Sequence, residues 1–208
     1  SHKIIIIIFF ISLYIDIMII WIASYPKSGN TWVRSMISAL LYSEDGVFNF
    51  DQLYKIPQYP HRDYFEKLTD RLDDLNEMKK YWLLSQEKLN LENKNIFFKT
   101  HHMNCRIENY YFTNTKNTLA TIYIVRDPRN IVSSISNHFS LSINDSKNYL
   151  LTPRILGGSN KNSSIKDARA LLGTWSDHYR SWTSTNKNLL ILKYEDLINN
   201  PTNELDKI

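Results

Sequence analysis

Two short stretches carry groups suited to gripping an anion: "YPKSGNTW" (Tyr25–Trp32) and "IVRDPRNIVSS" (Ile124–Ser134). In the first, Gly29 lets backbone amides turn toward a negative charge, and a helix opening near Asn30 offers free N–H groups at its positive end. Thr31 adds a hydroxyl and Lys27 a mobile positive charge ahead of the helix. The stretch lacks the G-x-x-x-x-G-K-[ST] spacing of a nucleoside-triphosphate loop, so any phosphate it holds is of another kind. In the second, Asp127 stands at a helix N-cap and Pro128 at the first helical position. Ser134 returns to the face of that cap about two turns later. Arg126 and Ser134 can therefore meet one anion from two sides. The plainer alternatives are a surface turn in the first case, and an Arg126–Asp127 pair with Ser134 bonded to its own helix in the second.

Groups so placed need strands to end beside them. "MIIWIAS" (Met18–Ser24), "NIFFKT" (Asn95–Thr100), "LATIYIVR" (Leu119–Arg126) and "NLLILKY" (Asn188–Tyr194) are short continuous apolar runs, the mark of strands covered on both faces. Between them, Leu68, Leu72, Leu75, Met78 and Trp82 space like one buried helical face, as do Ile165, Ala168, Leu172, Trp175, Tyr179 and Trp182. Strands alternating with helices predict an α/β three-layer sandwich around a parallel sheet, where ligands bind beyond the carboxyl ends of the strands. Loops are expected at Phe48–Arg62 and at Ser140–Ser164, the second a candidate lid or an ordinary surface connection.

The chain has 208 residues, 43% of them hydrophobic, enough for one substantial core. Its 25 Lys and Arg are interspersed with 21 Asp and Glu, a solvated surface rather than a nucleic-acid footprint. Cys105 is the single cysteine, which excludes an internal disulfide and a cysteine-based zinc site and suits the cytoplasm. The run Ile4–Ile15 is apolar but short of the roughly 20 residues a membrane span needs. Extending it would consume the first strand, so residues 1–17 are expected to be a non-native leader and residues 18–208 the domain. A membrane anchor is the lesser alternative.

The stretches "YPKSGNTW", "FFKTH" (Phe97–His101), "IVRDPRNIVSS" and "LKYEDL" (Leu192–Leu197), in this order, resemble the sulfotransferase family that uses 3′-phosphoadenosine 5′-phosphosulfate (PAPS). The resemblance runs from Met18 to the end of the chain and implies a P-loop-NTPase-like fold. It implies Lys27, Ser28, Gly29, Asn30 and Thr31 around the 5′-phosphate, Trp32 on the adenine, Arg126 and Ser134 on the 3′-phosphate, and Tyr194 near the base. "KTH" matches the family's Lys-x-His pattern, making His101 the expected general base and Lys99 a second cation beside the transferring group. Lys27 is expected to stabilise charge on the leaving phosphate oxygen. His102 is the competing imidazole, whereas His138 and His178 fall in helical patterns and are expected to pack or face solvent. A sulfuryl group carries one negative charge, so no bridging metal is expected. The acceptor implied is a small molecule or glycan bearing a hydroxyl or amine; aromatic residues such as Tyr54, Tyr59, Tyr64, Trp82, Phe139 and Tyr149 are candidate pocket walls.

The sequence departs from the family pattern at Asn30, where Thr is frequent, and at Asn130, where Asp is frequent. The family usually continues past "YEDL" to a basic, glycine-containing segment, which nothing here matches. The domain is therefore read as incomplete at its carboxyl end. Two competing functions are a non-catalytic adenosine-bisphosphate binding module and an ATP-dependent phosphotransferase.

Overall fold

The structure is a computed structural model and describes residues 18–92, 97–157, 168–184 and 188–208. The expected leader, residues 1–17, and positions 158–167 of the expected loop and helix lie outside the described residues. No described helix is long and apolar enough to cross a membrane.

Four strands form the central sheet: β1 (Ile19–Ser24), β2 (Phe97–Thr100), β5 (Thr118–Val125) and β8 (Leu189–Lys193), in the order β2-β1-β5-β8. Every pairing is parallel. Side chains alternate across the sheet. From β1, Ile19, Trp21 and Ala23 enter a cluster with Tyr59, Phe65, Trp82, Phe98, Phe112 and Trp182. Ile22 enters the opposite cluster with Val33, Ile37, Ile56, Ile124, Leu192 and Leu197. Both faces of the sheet are therefore covered, which is why the strands read as unbroken apolar runs. This is the α/β fold that the alternation of elements predicts.

The register decides where chemistry can occur. Ser24 lies opposite Ile124, Ala23 opposite Thr100, and Val125 opposite Lys193. The four strands thus stop along one edge, so the residues that follow them, Tyr25, His101, Arg126 and Tyr194, emerge side by side.

Helix α1 (Asn30–Tyr42) follows β1, and α2 (Leu75–Met78) and α3 (Trp82–Leu91) precede β2. A two-stranded hairpin, β3 (Arg106–Ile107) and β4 (Tyr110–Tyr111), lies between β2 and β5. After β5 come α4 (Pro128–Phe139), α5 (Ile143–Leu151), β6 (Arg154–Leu156), β7 (Ala170–Gly173) and α6 (Trp175–Thr183). The chain ends in α7 (Tyr194–Asn199) and α8 (Pro201–Leu205) beyond β8.

Three expectations are corrected. The helical face drawn from Ile165 to Trp182 is helical only from Trp175, Ile165 lying outside the described residues. Ala170–Gly173 is a strand, antiparallel to β6, and Gly173 turns left-handed (φ +67°) before Thr174 caps α6. The face drawn from Leu68 to Trp82 begins only at Leu75, because the Asp74 side chain accepts from Asn76 N and starts the helix there. The segment read as a loop from Ser140 holds α5 and β6, with Ser142 capping α5 through Asp145 N. Ser and Asn content signals caps as readily as loops.

Candidate active site

The β1-to-α1 turn is built to leave donors unused. Lys27 and Gly29 are both left-handed, at φ +67° and +96°, and Gly29 occupies the N-cap of α1 without a side-chain cap. The first turn holds no acidic residue, and the first amide to bond back is Val33 N, to Gly29 O at 3.1 Å. The amides of Asn30, Thr31 and Trp32 therefore lack helical partners, at the positive end of the helix. Helices α4, α5 and α6, in contrast, are closed by Asp127, Ser142 and Thr174. Among the described residues the buried Ser28 hydroxyl has no partner either.

Tyr194 gathers the cluster. A Cβ on Gly29 would come within 2.5 Å of Tyr194 Cδ2 and 2.8 Å of Cε2, so the ring lies directly against the turn. The Arg126 guanidinium sits over the same ring, 4.2 Å from its centroid, a cation–π contact. Trp32 meets the ring edge-on, centroids 5.9 Å apart. Arg126 Nη1 also donates to the Lys27 carbonyl at 2.9 Å, whereas its buried Nε has no partner. The expected alternative, an Arg126–Asp127 pair, does not form. Asp127 takes Arg129 instead, which lies 3.0 Å from both carboxylate oxygens through Nε and holds the carboxyl down at about 2. Among the described residues no carboxylate pairs with Arg126, so a partly desolvated guanidinium remains beside the turn. Ser134 is half-buried on α4.

His101, directly after β2, faces the same turn. Its Nδ1 lies 2.7 Å from the Ser24 carbonyl oxygen, at the end of β1. A carbonyl only accepts, so Nδ1 carries the proton and Nε2 keeps a lone pair. Burial pushes the imidazole well below 6.5, and the charge of Lys99 pushes it further. The ring is therefore neutral at pH 7. Lys99 Nζ donates to Gln58 Oε1 at 2.7 Å.

His102 is set apart by its surroundings. It is fully buried, stacked on Phe112 with ring centroids 4.1 Å apart, and its Nδ1 bonds Met103 O at 2.6 Å. Of the two adjacent imidazoles, His101 alone stands at the turn. Of the two imidazoles expected to pack or face solvent, His178 is fully buried and His138 is exposed.

Both departures from the family pattern have structural partners. The Asn30 carboxamide donates through Nδ2 to Ile22 O at 3.0 Å and to Ser24 Oγ at 3.1 Å, fastening the start of α1 to the end of β1. Its Nδ2 is thus engaged within the fold, whereas the buried Oδ1 meets no partner among the described residues. Asn130 Nδ2 donates to Glu195 Oε1 at 3.3 Å, and Asp127 N donates to the same oxygen at 3.2 Å. An Asp at position 130 would confront Glu195 with a like charge. Of the aromatic residues considered as pocket walls, Tyr59 and Trp82 are wholly buried in the core. Sequence reasoning missed Ser24, whose contribution is a backbone carbonyl that no side-chain pattern could reveal.

The family model of the sulfotransferase domain matches residues 19–208. The chain is 25% identical over 187 residues to a guinea-pig (Cavia porcellus) 3-alpha-hydroxysteroid sulfotransferase, covering 89% of this chain and 55% of that protein. It is 26% identical over 197 residues to Sulfotransferase 1E1 of Rattus norvegicus, covering 90% and 56%. The chain thus spans about half the length of the curated relatives it matches. Among solved structures, mouse sulfotransferase SULT7A1 complexed with PAP aligns at a TM-score of 0.46 and 18% identity, covering 91% of this chain and 55% of that one. Retinol dehydratase in a complex with retinol and PAP aligns at 0.48 and 19%, covering 90% and 57%. With the matched model covering all four sheet strands and the turn, Arg126 and His101 that stand at their ends, the chain belongs to the sulfotransferase domain family.

Proposed function

We propose that this chain is the nucleotide-binding and catalytic part of a PAPS-dependent sulfotransferase. The observation that carries the reading is the meeting of three features at one sheet edge. They are an uncapped helix start behind a left-handed turn, a guanidinium that pairs with no carboxylate among the described residues, and an imidazole with one nitrogen fixed. Family membership and sulfotransferase relatives support the reaction class.

In this reading the amides of the turn, with Lys27, Ser28, Gly29, Asn30 and Thr31, receive the 5′-phosphosulfate. Asn30 contributes its backbone, since its Nδ2 is engaged and its Oδ1 can only accept. The orphaned Ser28 hydroxyl fits a phosphate oxygen, and a partly buried Arg126 fits the 3′-phosphate with Ser134 beside it. Trp32 and Tyr194 offer ring surface to the adenine. PAPS supplies a sulfuryl group already joined to a good leaving group. The acceptor oxygen forms a bond to sulfur as the bond from sulfur to the 5′-phosphate oxygen breaks, and the acceptor proton passes to His101 Nε2. Charge then grows on the departing phosphate oxygen, where Lys27 and Lys99 stabilise the transition state more than the bound substrate. The proposal includes no metal. It assigns the acceptor only to small molecules or glycans carrying a hydroxyl or amine.

The test is transfer of labelled sulfate from PAPS to a panel of phenols, alcohols, sugars and amines. His101→Ala is expected to lower turnover by at least about 10²-fold, the scale of lost acid–base catalysis, while nucleotide binding persists. Turnover near the wild-type rate would remove His101 from the mechanism.

A further inference from the structure

The segment that carries His101 belongs to no regular element. Met103 N donates to Leu171 O of β7 at 2.8 Å, and three side chains of a single helix hold residues 101–104 from one side. His178 Nε2 lies 3.1 Å from the His101 carbonyl oxygen. One turn further along α6, the Trp182 indole N–H donates to the His102 carbonyl at 3.0 Å. Between them, Ser181 Oγ accepts from Asn104 N at 3.0 Å. The i, i+4 spacing of His178 and Trp182 sets two donors on one helix face, matched to two successive carbonyls.

Partners fix the tautomer of His178. Its Nε2 must carry the proton, because the His101 carbonyl only accepts. Its Nδ1 is then an acceptor, met by the Tyr123 hydroxyl of β5 at 2.9 Å. Both His178 and Trp182 are fully buried, beyond reach of substrate. The His101 ring therefore has its Nδ1 fixed by β1, through Ser24, and its peptide fixed by α6.

We propose that His178 and Trp182 are positioning residues for the general base: by gripping the two carbonyls after the base's own backbone nitrogen, they aim His101 Nε2 at the acceptor. The proposal rests on the reading of His101 as that base. Displacing a catalytic group by about 1 Å can cost up to about 10²-fold in rate. A role limited to satisfying buried carbonyls would cost stability and leave the rate of folded enzyme unchanged.

A double-mutant cycle separates the two. In the full chain, Trp182→Phe removes one N–H with little loss of volume, His178→Leu removes both polar atoms, and His178→Gln keeps an amide donor. Trp182→Phe and His178→Leu are each expected to lower kcat about tenfold, with the KM for PAPS within about twofold of wild type, and His178→Gln to recover most of the loss. In a His101→Ala background the same substitutions should have no further effect on kcat. Unchanged kcat in folded Trp182→Phe, or losses that repeat in full without His101, would overturn the proposal. Should His178→Leu fail to fold, Trp182→Phe and His178→Gln run the same cycle. If His101→Ala alone leaves turnover intact, it is the assignment of the base that fails, and the positioning role falls with it.

Discussion

Three imidazoles, His102 and His178 fully buried and His101 partly so, set the response of this region to pH. Burial brings His102 and His178 down to about 3, and puts His101 well below 6.5, where the charge of Lys99 adds to the loss of water. Such groups bind fewer protons folded than unfolded at every pH between the folded and unfolded values. Their contribution to stability is therefore complete above about pH 6.5 and is lost as pH falls toward 3. At pH 5 the loss is on the order of 2 kcal/mol for each of His102 and His178. The urea midpoint is expected to drop markedly between pH 7 and pH 5. His102→Asn, which keeps a donor for Met103 O, should shrink that drop. A midpoint unchanged over this range would contradict the neutral, buried state of these rings.

At the scale of elements, the turn between β1 and α1 depends on one glycine for two reasons. Its φ of +96° costs any L residue about 1–2 kcal/mol, and a Cβ would strike the Tyr194 ring on which Arg126 rests. Gly46 is a built-in control, since it is also left-handed, at φ +74°, but a Cβ there meets nothing within 4 Å. Gly29→Ala should lower both stability and affinity for adenosine 3′,5′-bisphosphate, whereas Gly46→Ala should lower stability alone. Equal nucleotide binding in the two variants would show that the ring and the turn are not one unit. The sheet itself was legible because its strands are buried on both faces and read as apolar runs. The cap and first residue of α4, Asp127 and Pro128, were legible because capping chemistry is local. Residues 170–173 read as helix in the sequence because Leu172 and Trp175 fall at helical spacing by coincidence. What makes them a strand is pairing with β6, a contact invisible in their own stretch.

Over the whole molecule, the parallel register sums these local features into one place. Ser24, Thr100, Val125 and Lys193 end their strands along a common edge, so parts of the chain distant in sequence deliver a left-handed turn, a guanidinium and an imidazole to neighbouring positions. Residue types and their order point to candidate groups for the chemistry. They do not reveal the backbone carbonyls of Ser24, Lys27 and His101 that orient those groups, because every residue has one. The central claim is that two separate anion pockets grip one doubly phosphorylated nucleoside. It is tested most directly by calorimetric titration of wild type and Arg126→Ala with adenosine 3′,5′-bisphosphate and adenosine 5′-monophosphate. The account predicts that wild type prefers the bisphosphate by at least about tenfold, the least a charge-assisted bond to the extra phosphate should give. It also predicts that Arg126→Ala abolishes this preference while keeping affinity for the monophosphate within a few-fold. Equal affinities in wild type, or a preference that survives loss of the guanidinium, would contradict it.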